Sequence, residues 1–153
     1  MIALMLAAAV AVASNAPPVD APPTDAPRCR GVALDAAVAH YADVARAMDP
    51  RRTAQLYAAD GVLVGPKSEP VTGPKEIEAF LAGFGGYKLG EQVMTVDTTE
   101  RTASGWRTAG DFRQRGNDPN KAAFATGGRF RAEWRCLKGG WRVARMQSFA
   151  GGQ

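Results

Sequence analysis

Residues 124–149, which read FATGGRFRAEWRCLKGGWRVARMQSF, decide the fold. They predict two β-strands joined at Lys138-Gly139-Gly140, a tight hairpin turn. Successive side chains of a strand point to opposite faces of a sheet, so alternating residue types assign the faces. The face predicted to cover the core carries Phe130, Ala132, Trp134, Cys136, Trp141, Val143, Arg145, Gln147 and Phe149. The solvent face is predicted to carry Arg129, Arg131, Glu133, Arg135, Arg142, Ala144, Met146 and Ser148.

The chain before this hairpin predicts three helices, a short strand and two long strands. Apolar residues at helical spacing indicate a first helix over 32–48. Asp49 and Pro50 begin a second helix, which is predicted to continue through Tyr57 and to end at Asp60-Gly61. Residues 62–64 form a short strand, Pro74 opens the third helix, and long strands follow over 87–100 and 102–115. This order predicts an α+β fold, an antiparallel sheet packed on three N-terminal helices.

Composition fits one ordinary globular domain. The 153 residues are 46% hydrophobic and 22% charged, with a formal net charge of +4. The charge is uneven: residues 1–100 hold 8 Lys and Arg against 12 Asp and Glu, whereas residues 101–153 hold 11 against 3. The positive charge therefore belongs to the C-terminal third.

The N-terminus predicts export. Residues 1–16 contain about a dozen apolar residues, too few to span a bilayer but typical of a signal-peptide core, with cleavage expected after Ala13 or Ala16. Residues 17–28 hold five prolines and predict an extended linker. The predicted organisation is a signal peptide (1–16), a Pro-rich linker (17–28) and one folded domain (29–153), placed in the periplasm or secreted.

Two cysteines, Cys29 and Cys136, are present. In an exported protein an even count favours a disulfide, and the alternative is a pair of buried thiols. A bridge closing a loop of this length stabilises the fold by about 4–5 kcal/mol in the chain-entropy description.

Several short motifs, in this order, resemble the SnoaL-like branch of the nuclear transport factor two-like superfamily. They are LYAADGV at 56–62, TGPKEI at 72–77, GRFRAEWR at 128–135 and GWRV at 140–143. The resemblance covers about residues 33–149. It implies a cone-shaped curved sheet that encloses a pocket against the helices, and often a homodimer. It implies little about activity, because this fold hosts isomerases, cyclases, dehydratases and non-enzymes.

The ketosteroid isomerases of this superfamily allow a comparison by residue. Their substrate-binding tyrosine in the first helix matches Tyr41. Their general base falls at about Gly65, which accepts no proton, and no Asp or Glu stands on the predicted inner face. The isomerase mechanism is therefore not expected here.

The candidate ligand-binding residues are those of the predicted inner face and the helices facing it, although the aromatic ones are also ordinary core residues. They are Tyr41, Tyr57, Trp106, Thr108, Phe130, Arg145 and Gln147. An inward Arg145 would bind an anionic ligand group, pair with a carboxylate such as Asp60, or reach the mouth of the cone. The single histidine, His40, has no ligand cluster around it, so neither a metal nor another cofactor is predicted.

Three functions remain open from the sequence. The first is an exported domain that binds a small apolar or anionic molecule. The second is a cofactor-free lyase or isomerase that uses Tyr41 with Asp60 or His40. The third is an interaction module using the arginine face, although cross-strand pairs of those arginines with Asp111 and Glu133 are the simpler expectation. No nucleic-acid partner is predicted, since aromatic residues do not interleave the arginines. No membrane span is predicted either, because the apolar run at the N-terminus is too short.

Overall fold

The computed structural model of the chain describes Cys29 and residues 34–151. The predicted signal peptide (1–16) and linker (17–28) lie outside the described residues. The elements in chain order are α1 (Leu34–Arg46), α2 (Pro50–Ala54), β1 (Tyr57–Val64), β2 (Val71–Thr72), α3 (Pro74–Ala82), β3 (Lys88–Thr102), β4 (Gly105–Asn117), β5 (Ala123–Leu137) and β6 (Gly140–Ala150). Among the described residues, no helix is both long and apolar enough to cross a membrane.

The strands form one curved six-stranded sheet in the order β2-β1-β6-β5-β4-β3. The predicted α+β class, with a curved sheet packed on a few N-terminal helices, is confirmed. The sheet is mixed rather than wholly antiparallel, because β1 lies beside β6 and runs in the same direction. The strands β3 to β6 follow the predicted antiparallel order.

The second helix is much shorter than predicted. Asp49 caps it as expected, its Oδ1 accepting a hydrogen bond from the backbone N–H of Arg52. The helix ends at Ala54, and the residues predicted to continue it form β1 instead. The cause is tertiary pairing: the Val143 N–H donates to the carbonyl of Leu56 at 2.9 Å. Backbone pairing with β6 outweighs the modest helix propensity of this segment.

The core lies between the inner face of the sheet and the three helices. Val38 and Tyr41 of α1 and Ile77 of α3 meet the sheet residues Phe130 and Trp134 there. Each of these five side chains is less than 9% exposed. The predicted third helix and the inward placement of Phe130 and Trp134 are thus confirmed.

Cys29 and Cys136 are joined by the predicted disulfide, with their Cα atoms 6.1 Å apart. Cys136 lies directly opposite Trp141 in the β5–β6 hairpin. The bridge therefore fixes the first described residue to the end of this hairpin.

Candidate functional site

The tyrosine pair inside the cone is the most polar feature of the core. Tyr41 and Tyr57 have their hydroxyl oxygens 2.7 Å apart, and their rings meet edge to face. One hydroxyl donates to the other, so one of the two O–H groups has no acceptor among the described residues. Burial raises the pKa of Tyr41 to about 12 and that of Tyr57 well above its ordinary value. Both phenols are thus neutral donors near neutral pH and not proton acceptors.

Three other candidate residues lie among core or core-packed side chains. Thr108 is fully buried, and its Oγ1 accepts a hydrogen bond from the Trp134 indole N–H at 3.0 Å. Phe130 is 2% exposed. Trp106 is half-buried, with the Arg101 guanidinium carbon 5.5 Å from its ring centre. These residues fill the interior rather than line either of the clefts described below.

Arg145 and Gln147 do not point into the cone, contrary to the sequence prediction. A register shift separates the pair Trp134–Val143 from the pair Glu133–Arg145, so β6 carries one extra residue at Ala144. Past this bulge the faces exchange. Met146, predicted to face solvent, pairs with Ala132 on the inner face and is 4% exposed. Arg145 pairs with Glu133, and Gln147 with Arg131, on the opposite face.

The proposed pairing of Tyr41 with Asp60 as catalytic partners is also wrong. Asp60 is exposed, and Arg135 of β5 donates to its Oδ1 at 2.8 Å. The same hydrogen bond lowers the pKa of Asp60. Tyr41 is buried beside Tyr57, and Asp60 lines neither of the clefts described below, so the two groups do not share a cavity.

Two adjoining clefts open where α1 and α2 meet the β5–β6 hairpin. One cleft, of about 270 Å³, is lined by Ala36, Ala37, His40, Tyr41, Leu56, Trp134, Gly139, Gly140, Trp141 and Arg142. The other, of about 320 Å³, is lined by His40, Val44, Arg52, Gln55, Leu56 and Arg142. His40, Leu56 and Arg142 belong to both, so the clefts form one continuous depression, named here the hairpin groove.

The hairpin turn positions the arginine of this groove. Gly140 has a φ of +105°, which allows the two-residue reversal between β5 and β6. The Arg142 Nη1 donates to the Trp141 carbonyl at 2.9 Å, so its guanidinium folds back over the turn. A Cβ on Gly139 would come within 2.6 Å of the Arg142 Nη2. The absence of a side chain at Gly139 leaves room for this guanidinium.

The sequence reasoning missed most of the groove. Neither Arg52 nor Arg142 was among the candidate ligand-binding residues, and His40 was considered only as a catalytic partner of Tyr41. Of the residues that line the groove, only Tyr41 was a candidate ligand-binding residue, whereas Trp134 and Trp141 were placed on the inner face. The close spacing of Leu56, Gly139 and Arg142 depends on the pairing of β1 with β6, which no local pattern indicates.

The outer face of the sheet is covered by ion pairs between strands. Arg129 contacts Asp97 and Asp111, and Arg107 contacts Glu100 and Glu133. The predicted cross-strand pairs with Asp111 and Glu133 are confirmed.

The described residues contain no group of His, Cys, Asp and Glu that could hold a metal ion.

The fold is that of the nuclear transport factor 2-like α+β domains. A family model described as "SnoaL-like domain" matches residues 32–147, so the chain belongs to the SnoaL-like domain family. None of the curated proteins matches the chain.

Several solved structures have the same fold. A ketosteroid isomerase-like protein from Erwinia carotovora atroseptica is 16% identical with a TM-score of 0.68, covering 78% of this chain and 95% of its own. A nuclear transport factor 2-like protein from Salmonella enterica is 15% identical with a TM-score of 0.63, covering 76% and 87%. A ketosteroid isomerase-like fold from Catenulispora acidiphila, in complex with trimethylamine, is 18% identical with a TM-score of 0.54, covering 74% and 84%. At these identities the likeness establishes the fold alone.

Proposed function

We propose that the protein is an exported binding domain whose small, mainly apolar ligand lies in the hairpin groove. The observation that carries this proposal is the grouping of Trp134, Trp141 and Tyr41 along one cleft of about 270 Å³. Small-molecule sites are concave and mostly apolar or aromatic, with a few polar groups that fix orientation. Together with its neighbour, the cleft has the size of such a site.

Rigidity of the groove supports binding by a preformed site. Trp141 lies opposite Cys136, which is bonded to Cys29, and Trp134 is held by its hydrogen bond to Thr108. A site that is ordered before the ligand arrives loses less conformational entropy on binding. The Catenulispora acidiphila protein of the same fold holds trimethylamine, which supports the idea that this fold accepts small organic molecules.

The lining of the groove favours binding over proton transfer. Neither cleft has an Asp or Glu among its described lining residues. Tyr41 keeps its proton up to about pH 12, so it donates a hydrogen bond without acting as a base. General acid–base chemistry needs a group whose pKa lies near the working pH. The lyase or isomerase alternative therefore depends on His40, which lines both clefts without a carboxylate beside it in their lining, and it has less support than ligand binding.

The fluorescent amine N-phenylnaphthylamine, which is neutral and aromatic, tests the proposal. We expect its emission to rise on binding and its affinity to fall at least fivefold in Trp141→Leu. The matched control is Trp106→Leu, since Trp106 is also a half-buried tryptophan of this sheet but lies outside the groove. Equal affinity in wild type and Trp141→Leu, with both folded by circular dichroism, contradicts the proposal.

Export is supported by the disulfide, since such bridges persist in oxidising compartments. Expression of the full chain in a Gram-negative bacterium, followed by fractionation, checks this part. The mature protein is expected in the periplasm, beginning after Ala13 or Ala16, and resistant to thiol labelling until reduced. Recovery in the cytoplasm with Met1 retained and both thiols free would be the opposite result.

A further inference from the structure

We infer, building on the proposed function, that the groove selects ligands carrying one anionic group of the carboxylate or sulfonate class, bound by Arg52 and Arg142. The apolar body of the ligand then lies against Trp134 and Trp141. The anionic group of the ligand and its apolar body thus contact different parts of the hairpin groove.

The two ends of the groove differ in chemistry. The end of the groove that is lined by Trp134, Trp141, Ala36 and Ala37 is largely apolar. The end nearer α2 holds Arg52, Arg142, His40 and Gln55, with Val44 and Leu56 as its apolar members. Arg52 and Gln55, whose side chains carry N–H donors, line only this end, whereas His40 and Arg142 line both clefts. An amphipathic molecule fits this arrangement in a single orientation.

Among the described residues, the arginines of the groove lack the carboxylate partners that several arginines of the outer face have. On the outer face, Arg107, Arg113 and Arg129 each contact at least one carboxylate of the same sheet. Within the described residues, Arg52 and Arg142 form no ion pair with Asp or Glu. The Asp49 carboxylate accepts the Arg52 backbone N–H as the helix cap. The positive charge of the groove is left for a ligand.

The Arg142 guanidinium is held in place before any ligand binds. One of its five N–H groups donates to the Trp141 carbonyl, which fixes the orientation of the planar fork. The remaining N–H groups are available for carboxylate or sulfonate oxygens, for which the fork geometry is suited. Because Arg142 lines both clefts, its head group stands at the junction of the apolar and cationic ends.

A pair of probes that differ in one group tests the inference. Anilinonaphthalene sulfonate is N-phenylnaphthylamine with an added sulfonate. The ratio of their dissociation constants therefore measures how much the sulfonate contributes to affinity. We expect the wild type to bind the sulfonate at least tenfold more tightly than the neutral parent. Arg142→Gln and Arg52→Gln are expected to reduce this ratio by about tenfold each and to leave the affinity for the neutral parent within twofold.

The matched control is Arg145→Gln, which removes an arginine of the same strand that lines neither cleft. It should leave the ratio unchanged, and Arg142→Lys should retain part of it because the charge remains. Equal affinities for the two probes in the wild type, or a ratio that falls as much in Arg145→Gln as in Arg142→Gln, overturns the inference. In either case, the proposed function still holds if Trp141→Leu weakens the binding of the neutral probe. Loss of that sensitivity refutes the proposed function itself.

Discussion

The indole N–H of Trp134 donates a hydrogen bond to the Thr108 hydroxyl oxygen at 3.0 Å, and both side chains are buried. The bond joins β5 to β4, since Trp134 is on one strand and Thr108 on the other. It lets the sheet keep a large aromatic side chain in the core without leaving a polar N–H unpaired. It also holds the wall of the hairpin groove that Trp134 forms.

Thr108→Val should destabilise the protein by about 1–3 kcal/mol, because a β-branched residue of similar shape removes the acceptor and leaves the indole N–H unsatisfied. Denaturant unfolding at neutral pH measures the change. Thr95→Val, at an exposed position of β3, is the control and should change the free energy of unfolding by less than about 0.5 kcal/mol. Similar free energies for Thr108→Val and wild type would show that the bond is not needed.

The tyrosine pair predicts a loss of stability at alkaline pH. The pKa of Tyr41 is about 12 in the fold and 10.0 in an unpaired reference, because burial disfavours the phenolate. The stability that this neutral phenol contributes is complete below the unfolded value and is lost as the pH rises through the folded value. We expect the free energy of unfolding to fall between about pH 10 and pH 12, with tyrosinate absorbance appearing together with unfolding.

Tyr41→Phe is the matched variant for this titration. It removes one ionising group and should flatten the alkaline decline, while Tyr57 remains to give part of it. Tyrosinate absorbance that develops fully in the folded state, before any change in circular dichroism, would mean that the pair is accessible to hydroxide.

The outer ion pairs predict sensitivity to acid. Hydrogen bonding from Arg129 holds the pKa of Asp97 below its ordinary value of 3.8. A carboxylate with a lowered folded pKa contributes stability above the unfolded pKa, and that contribution is lost as the pH falls through the folded value. Asp97→Asn should therefore lose less stability than wild type between about pH 5 and pH 2.

Urea unfolding at several pH values and low salt measures this difference. Glu78→Gln, which changes an exposed carboxylate of α3, serves as the control and should follow the wild-type curve. Because Asp97 and Arg129 are both solvent-exposed, the difference should shrink in molar salt. Parallel wild-type and Asp97→Asn curves would argue that the pair adds nothing to stability.

The bulge in β6 predicts opposite outcomes for two neighbouring residues. Met146→Ala should cost about 2–4 kcal/mol, since it empties buried volume in the core. Arg145→Ala should cost less than about 1 kcal/mol, because its side chain lies on the outer face. The face assignment made from simple alternation requires the reverse order. Unfolding free energies of the two variants decide between these registers.

The contrast between these residues shows how far the sequence alone carried the prediction. Alternation placed Phe130, Ala132 and Trp134 correctly, because β5 is regular along its pairing with β4. It failed beyond Val143, where one extra residue exchanges the two faces. A signal was present: Val143 and Met146, both apolar, are three residues apart in a strand, a spacing that regular alternation does not produce.

The candidate site was harder to predict than the fold. Leu56, Ala58 and Ala59 favour a helix locally, but pairing with β6 makes the residues from Tyr57 onward a strand. Gly61 allows the close approach of β1 and β6, because a Cβ there would lie 2.8 Å from the Val143 carbonyl oxygen. The groove arises where these distant segments meet. The residues of the groove are therefore identified from the tertiary structure, because no single sequence motif contains them.

The place of β6 in the sheet also constrains when the protein folds during its synthesis. β6 is bonded to β1 on one side and to β5 on the other, and Tyr57 pairs with Val143. The early strand β1 therefore waits for residues 140–150 to leave the ribosome before it gains this neighbour. Contacts so distant in sequence form late and slowly. A chain cut short before β6 would therefore leave this edge of β1 unpaired, and an unpaired strand edge favours aggregation.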